Sequence, residues 1–409
     1  MCLALLAFLA CPTTTDTPGD LATESGGDTG EDSAADSGED TAGDTGTDSG
    51  GDTAGDTSDT AEPGPDWVRV DADGGVRERS VDVAVATDGT AFVSWVDGSD
   101  VCWARRSTDG GVTWGDPAAV NADGTTASVA MARRPYVVTD GSRVAVAFVD
   151  LDSRLVEVYA SDAANLDFEH VATLGAASDN NDFAKPVFVD GDLVVEWQTY
   201  NAEGAMVLAR ESTGWGEEPA DDTIPGVPCE CCPNDVFAAS TGELLVAFRN
   251  NDDDLREHWV SIFPGGESAE VTDIEGDLAT CPMQGPRIAE APGGLLIVWA
   301  DASMDGRTWL ESSDDFGRTW SNERDILGRT GTGSPTIATG LDGRVFVTTE
   351  SGRISIFALS DDGGTSFSAP ETLASPSGDL GFGQVESGGG VTLVGGSGAD
   401  GSAWVYRPR

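Results

Sequence analysis

Ser107-Thr108-Asp109-Gly110-Gly111-Val112-Thr113-Trp114 has two counterparts, Ser313-Asp314-Asp315-Phe316-Gly317-Arg318-Thr319-Trp320 and Ser360-Asp361-Asp362-Gly363-Gly364-Thr365-Ser366-Phe367. All three fit S-x-D-x-G-x-[TS]-[WF]. Ser and Asp side chains hydrogen-bond the backbone of a tight turn, and Gly accepts positive φ there. The closing aromatic, Trp114, Trp320 or Phe367, is expected to drop into an apolar interior. The pattern is structural rather than catalytic.

A longer repeat frames these turns. Ala91–Trp95, Val144–Phe148, Leu193–Trp197, Leu244–Phe248, Leu295–Trp299 and Val345–Thr349 are apolar runs about 50 residues apart. Most follow a short strand and a turn such as Asp88-Gly89, Asp140-Gly141, Asp190-Gly191 or Asp342-Gly343. A worn fourth copy of the turn pattern spans Ser161 to Phe168. No stretch sustains a 3.6-residue period, which leaves an all-β chain. Units of this length with four strands are β-propeller blades. The repeat count predicts seven, the last lacking its fourth strand. Trp67–Val70 can supply that strand by pairing with Ser402–Tyr406, closing the ring and removing both sheet edges.

The front of the chain reads differently. Residues 1–11 form a signal-peptide-like leader whose apolar stretch, 3–10, is too short to span a bilayer. Ala10-Cys11 has the form of a lipoprotein cleavage point, with Cys11 as the lipidation site. An ordinary secretory signal is the other reading. Residues 12–66 carry 16 acids, no Lys or Arg, and repeated Gly-Asp-Thr. They have little to bury against the entropy of ordering, which describes a disordered, self-repelling stalk. The folded part is then 67–409, exported, on the outer membrane or cell surface as a lipoprotein or else secreted. Membrane contact is expected only through the lipid anchor, and the expected state is a monomer.

Charge narrows the partners. The chain has 72 acids against 22 bases, so nucleic acid is excluded by sign. Against this background the bases stand out. Lys185 is the single lysine and precedes Pro186; Arg134, with Arg133 beside it, precedes Pro135; Arg287 follows Pro286. These are equivalent points at innermost-strand ends, which ring the axis of a propeller. Arg249 and Arg256 flank a loop that can reach the same face. Together they suggest a cationic mouth suited to a carboxylate or sulfate. The competing reading pairs each base with a neighbouring acid. No cofactor is expected, and Asp252-Asp253-Asp254 reads as a solvated loop rather than a calcium site. His170 and His258 have no metal spacing and read as surface residues.

Export implies an oxidising compartment. Cys229, Cys231, Cys232 and Cys281 fall at one rim of neighbouring blades and are expected to form disulfides among themselves, in any of three connectivities. A zinc site is the alternative, though C-x-C-C departs from the usual spacing. Cys102 is expected to be buried on a strand.

The turn pattern is the Asp-box, and over 67–409 the chain resembles the sialidase superfamily of Asp-box, or BNR-repeat, propellers. Cys229-Glu230-Cys231-Cys232-Pro233, Phe248-Arg249 with Arg256, and Cys281-Pro282-Met283-Gln284-Gly285-Pro286 look like a segment shared by bacterial secreted sialidase-like proteins. The resemblance implies six blades instead of seven, and an exo-sialidase-type glycoside hydrolase acting on acidic glycans. It further implies three arginines on the substrate carboxylate, a tyrosine nucleophile with a glutamate, and an aspartate acid/base. Tyr136, opening an innermost strand, is the nucleophile candidate, with Tyr200 near Glu196 second. Asp82 and Glu290 are the acid/base candidates. Where the family has Arg-Ile-Pro, this chain has Arg77-Glu78-Arg79-Ser80-Val81-Asp82. A non-catalytic glycan- or protein-binding propeller on a stalk is the alternative function.

Overall fold

The structure, a computed structural model, describes residues 66–409 apart from 73, 131–132, 177–178, 201–205, 214–220, 225–226, 252–254, 273–282 and 302–305, with the backbone alone at 206–213 and 221–224. The leader, Cys11 and the stalk up to residue 65 lie outside the described residues, as do Cys281 and Asp252 to Asp254.

Every sheet is antiparallel, and each blade is a meander of neighbours in sequence. Among the described residues six sheets hold four strands each. Their second strands are largely buried, Ala91–Val96 and Leu244–Arg249 along their whole length. Blades stack face to face, so a central strand is covered on both sides and reads as a continuous apolar run. The outermost strands, such as Glu267–Glu270, are largely exposed and polar.

The remaining sheet uses both ends of the described chain. Trp67–Arg69 pairs antiparallel with Ala403–Tyr406, in the register Trp67↔Tyr406, Val68↔Val405, Arg69↔Trp404. Trp67 stacks on Tyr406 at 4.7 Å between ring centroids, and Asp71 accepts the Ala403 N–H. The N-terminal strand therefore supplies the missing fourth strand and joins both ends of the described chain in one blade.

The three Asp-box turns share one hydrogen-bond set. Ser107 Oγ donates to Asp109 Oδ1 at 2.7 Å and accepts the Gly111 N–H at 2.8 Å, and Asp109 Oδ1 accepts the Thr113 N–H at 2.9 Å. Ser313, Asp315, Gly317 and Thr319 repeat it, as do Ser360, Asp362, Gly364 and Ser366. In the third turn these bonds, from Ser366 above all, hold the Asp362 carboxyl down at about 2. A Cβ on Gly111, Gly317 or Gly364 would come within 3.0 Å or less of Leu393, Leu245 or Leu296. Each of these leucines belongs to the preceding blade, so the turn is a joint between blades. Trp114, Trp320 and Phe367 pack partly buried against clusters that span two blades.

The innermost strands Asp82–Val85, Tyr136–Thr139, Asn180–Val189, Asp235–Ala238, Arg287–Ala291, Gly333–Thr339 and Gly378–Gly388 touch in that order, and the last touches the first. They enclose a channel with two different ends.

Candidate functional site: the axial channel and its mouth

The channel holds a cavity of about 360 Å³ lined by Asp82, Tyr136, Lys185, Asp235, Arg287 and Glu386 among others. Strand pairing explains the convergence. Asp82, Tyr136, Lys185, Asp235, Arg287, Thr336 and Gln384 lie opposite Ser94, Ala147, Glu196, Ala247, Val298, Thr348 and Gly395. They are one position repeated around the ring. Asp82 Oδ2 accepts the Val137 N–H at 2.9 Å, and Asp235 Oδ2 accepts the Ile288 N–H at 2.8 Å, each tying one blade to the next. Burial pushes the Asp82 carboxyl up. Glu386 faces the lumen, reached by water yet enclosed by protein, and burial followed by the Asp82 charge pushes it up to about 8.

The end of the channel where these strands begin is conformationally unusual. Bulges interrupt the pairing between Asp182 and Lys185, Gly333 and Thr336, and Gly381 and Gln384. Within them Phe183, Ser334 and Phe382 have φ of 52°, 48° and 57°, and just ahead of other innermost strands Arg79 and Met283 have φ of 71° and 55°. Bulky residues adopt this left-handed region only where their surroundings enforce it, and such strain gathers at binding and catalytic sites. A bulge re-aims the side chains next to it.

Two arginines meet a glutamate at this mouth. The Arg79 guanidinium lies 3.9 Å from the centroid of the Phe382 ring. Arg134 is only 6% exposed, and its Nε and Nη1 have no hydrogen-bond partner among the described residues. Glu350, 8% exposed, lies in the field of both. Burial pushes its carboxyl up to about 7, although Arg134 and Arg79 pull the other way. Burial also lowers Arg79, with Glu350 opposing.

The other bases of the expected cationic mouth are engaged. Arg133 pairs with buried Asp182, and Lys185 with Asp235. Arg249, 2% exposed, donates to the carbonyls of Gln284, Ala300 and Arg256, so it braces blades instead of facing a ligand. Arg287 donates to the carbonyls of Asn234 and Pro286. Arg256 Nη1 lies 2.9 Å from Cys229 Sγ. Arg133 and Lys185 thus follow the acid-pairing reading, whereas Arg249 and Arg287 are held by backbone carbonyls and Arg256 lies against a sulfur. Burial forces these contacts, since a sheltered cation needs nearby acceptors.

Asp82, Tyr136 and Glu290 all line the channel cavity, Asp82 and Tyr136 at equivalent positions of adjacent strands and Glu290 further along its strand. Tyr136 is 3% exposed, with Lys185 Nζ 5.4 Å from its ring centroid. Asp82 holds the neighbouring blade. Glu290 sits beside the hairpin at the far end of its strand, bonded to the N–H and hydroxyl of Ser240. Tyr200 ends the second strand of the third blade and is 37% exposed. The surface expectation fails for His258, which is 2% exposed and lies 5.4 Å from Trp299, ring to ring; burial holds it well below the usual histidine range. His170 is half-exposed and pairs with Glu157. Cys102 is fully buried on its strand, and burial pushes its thiol up. At the cysteine rim the sulfurs of Cys229 and Cys232 lie 2.7 Å apart, beyond the length of an S–S bond, and Cys281 lies outside the described residues.

Glu350 escaped the sequence reading, and Glu196 entered it only as a neighbour of Tyr200. Both carried a signal: an acid at the end of, or inside, an otherwise apolar buried run.

No family model matches the chain, and no curated protein does. Among solved structures, an ulvan lyase, a polysaccharide lyase solved with -[GlcA(1-4)Rha3S]-, aligns at 10% identity with a TM-score of 0.54, over 83% of this chain and 95% of its own. The β-propeller domain of the Trilobed protease from Pyrococcus furiosus, described as having an open velcro topology, aligns at 9% identity and 0.50, over 81% and 96%. A Hadza microbial sialidase aligns at 13% and 0.47, over 81% and 65%. At these identities the shared property is the β-propeller fold.

Proposed function

We propose that this propeller recognises an acidic glycan through its carboxylate, gripped at the channel mouth by Arg134 and Arg79, and that it does so as an exported, surface-displayed binding module. The observation that carries this reading is Arg134. A buried guanidinium with two unsatisfied nitrogens is costly unless something completes it, and a carboxylate does so with charge-assisted bonds. Arg79 supplies a second cation braced on Phe382, and the strained bulges fix both in place before a ligand arrives. The Asp-box resemblance supports a glycan as the bearer of the carboxylate. Recognition is favoured over sialidase-type hydrolysis because, although Asp82 lies in the field of Arg134, Tyr136 is buried beside Lys185 and Glu290 is bonded to Ser240 near the far end of its strand.

The test is binding of sialyl- and glucuronyl-oligosaccharides to the purified full chain by calorimetry, beside release of a fluorogenic group from a sialoside. Binding of an acidic glycan, lost in Arg134→Ala and absent for the neutral analogue, is expected. Release of the fluorogenic group would replace the binding module with a hydrolase. Absence of both would overturn the acidic-ligand reading.

A further inference from the structure

We propose that Lys185 and Asp235 become joined by an isopeptide bond that the folded chain forms by itself, with Glu196 carrying the proton. Lys185 is the only lysine of the 409 residues, and its Nζ contacts Asp235 Oδ1 across the seam between the third and fourth blades. Both side chains are sheltered, 16% and 5% exposed. Glu196 lies directly opposite Lys185 in the strand register, which brings their Cβ atoms to about 5 Å. It is fully buried, and neither carboxyl oxygen has a hydrogen-bond partner among the described residues. Burial, then the negative charge of Asp235, keeps its carboxyl well above the usual range despite Lys185, which favours its protonated form.

The ring supplies its own controls. Where Glu196 stands, the other blades have Ser94, Ala147, Ala247, Val298, Thr348 and Gly395. Asp82 holds the next blade by the same backbone bond as Asp235 but faces no lysine contact of this kind. The buried glutamate thus occurs in the one blade that has the lysine. A buried ion pair alone gives no reason for an additional unpartnered acid beside it, since that acid only adds to the desolvation cost.

The parts match the reaction. Across the sheltered contact the ammonium proton passes to Asp235 Oδ1, leaving an amine and a carboxylic acid for the step that follows. The Nζ lone pair attacks Cγ, a C–N bond forms, and the carbonyl electron pair moves onto Oδ2. There the Ile288 N–H, 2.8 Å away, donates to the developing oxyanion. Glu196 accepts a proton from nitrogen as its other oxygen delivers one to the departing hydroxyl. The Cγ–Oδ1 bond breaks and water leaves into the channel cavity, which Lys185 and Asp235 line. Ammonium plus carboxylate yields amide plus one water, so no oxidant or co-reactant is needed. The product ties two innermost strands covalently. It is independent of the ligand reading at the mouth.

Peptide mapping of the full chain decides it, after denaturation, reduction and alkylation. The expected result is a branched peptide containing positions 185 and 235, lighter than the two linear peptides together by one water, about 18 Da. Glu196→Gln should give the linear peptides at full mass while retaining a cooperative thermal transition. Asp235→Asn should give the branched peptide with loss of ammonia, about 17 Da. Linear peptides at full mass from the wild-type protein, after days at neutral pH, would overturn the bond. A branched peptide persisting in Glu196→Gln would overturn the role of the glutamate.

Discussion

The two ends of the innermost strands obey different rules. At the hairpin end, the turns use Asp followed by Gly, as at Asp88-Gly89, Asp140-Gly141 and Asp342-Gly343, with glycine φ of 85°, 89° and 80°. Glycine adopts the left-handed region there without steric cost, joined in one such turn by Asp190 with φ of 50°. At the mouth, Arg79, Phe183, Met283, Ser334 and Phe382 adopt it instead. The hairpin end also satisfies its charges locally, as Glu290 does with Ser240, whereas the mouth keeps Arg134 short of partners. One end is optimised for folding. The other spends stability, which is what a preorganised binding surface requires.

The strongest way to break this contrast is by substitution at each end. Arg134→Ala should weaken acidic-glycan binding by about 100-fold, through loss of charge-assisted bonds. Glu290→Ala, at the far end, should leave binding unchanged. Calorimetric titration of the two variants checks this, and equal losses would erase the distinction between the ends.

Next in size is a pH effect. Glu350 has a native value of about 7 against an ordinary 4.5. The native state therefore holds a proton that the unfolded state has released between these values, so stability falls as pH rises through that window. Between pH 4.5 and 8 the wild type should lose about 1–3 kcal/mol more than Glu350→Gln, read from urea midpoints. The same proton removes a competitor for the arginines. Glycan binding should then tighten as pH drops below about 7 and lose that dependence in the variant.

Backbone substitutions probe the smallest differences. Gly343→Ala, with φ of 80° and a new Cβ 3.1 Å from Pro292 Cγ, should cost about 1 kcal/mol in thermal unfolding. Ser334→Gly relieves φ strain but loosens the unfolded chain, and should change stability by less than about 0.5 kcal/mol. A large loss in Ser334→Gly would show that the bulge is held by the serine itself.

Much of the fold was legible because its determinants are local and repeated. Each apolar run reports a strand covered on both faces, and each Asp-box binds its own backbone within eight residues. Closure by Trp67 was legible too, since the last repeat lacked a strand and a single unpaired one stood at the front. The site was half legible. Equivalent positions around the axis could be listed, yet listing them did not tell which bases would be neutralised. Arg249 and Arg134 look alike in sequence, but only Arg249 lands beside three carbonyls.

The sequence by itself therefore determined an all-β repeat, the blade turns and the closing strand, because hydrogen bonds and apolar periodicity act over short separations. Tertiary structure alone decided that Arg79, Arg134 and Glu350 share one mouth, and that Lys185, Glu196 and Asp235 share one seam. Those groups lie from 11 to more than 200 residues apart. What they do depends on distance and burial, since desolvation and Coulomb interactions are set only once the ring has closed.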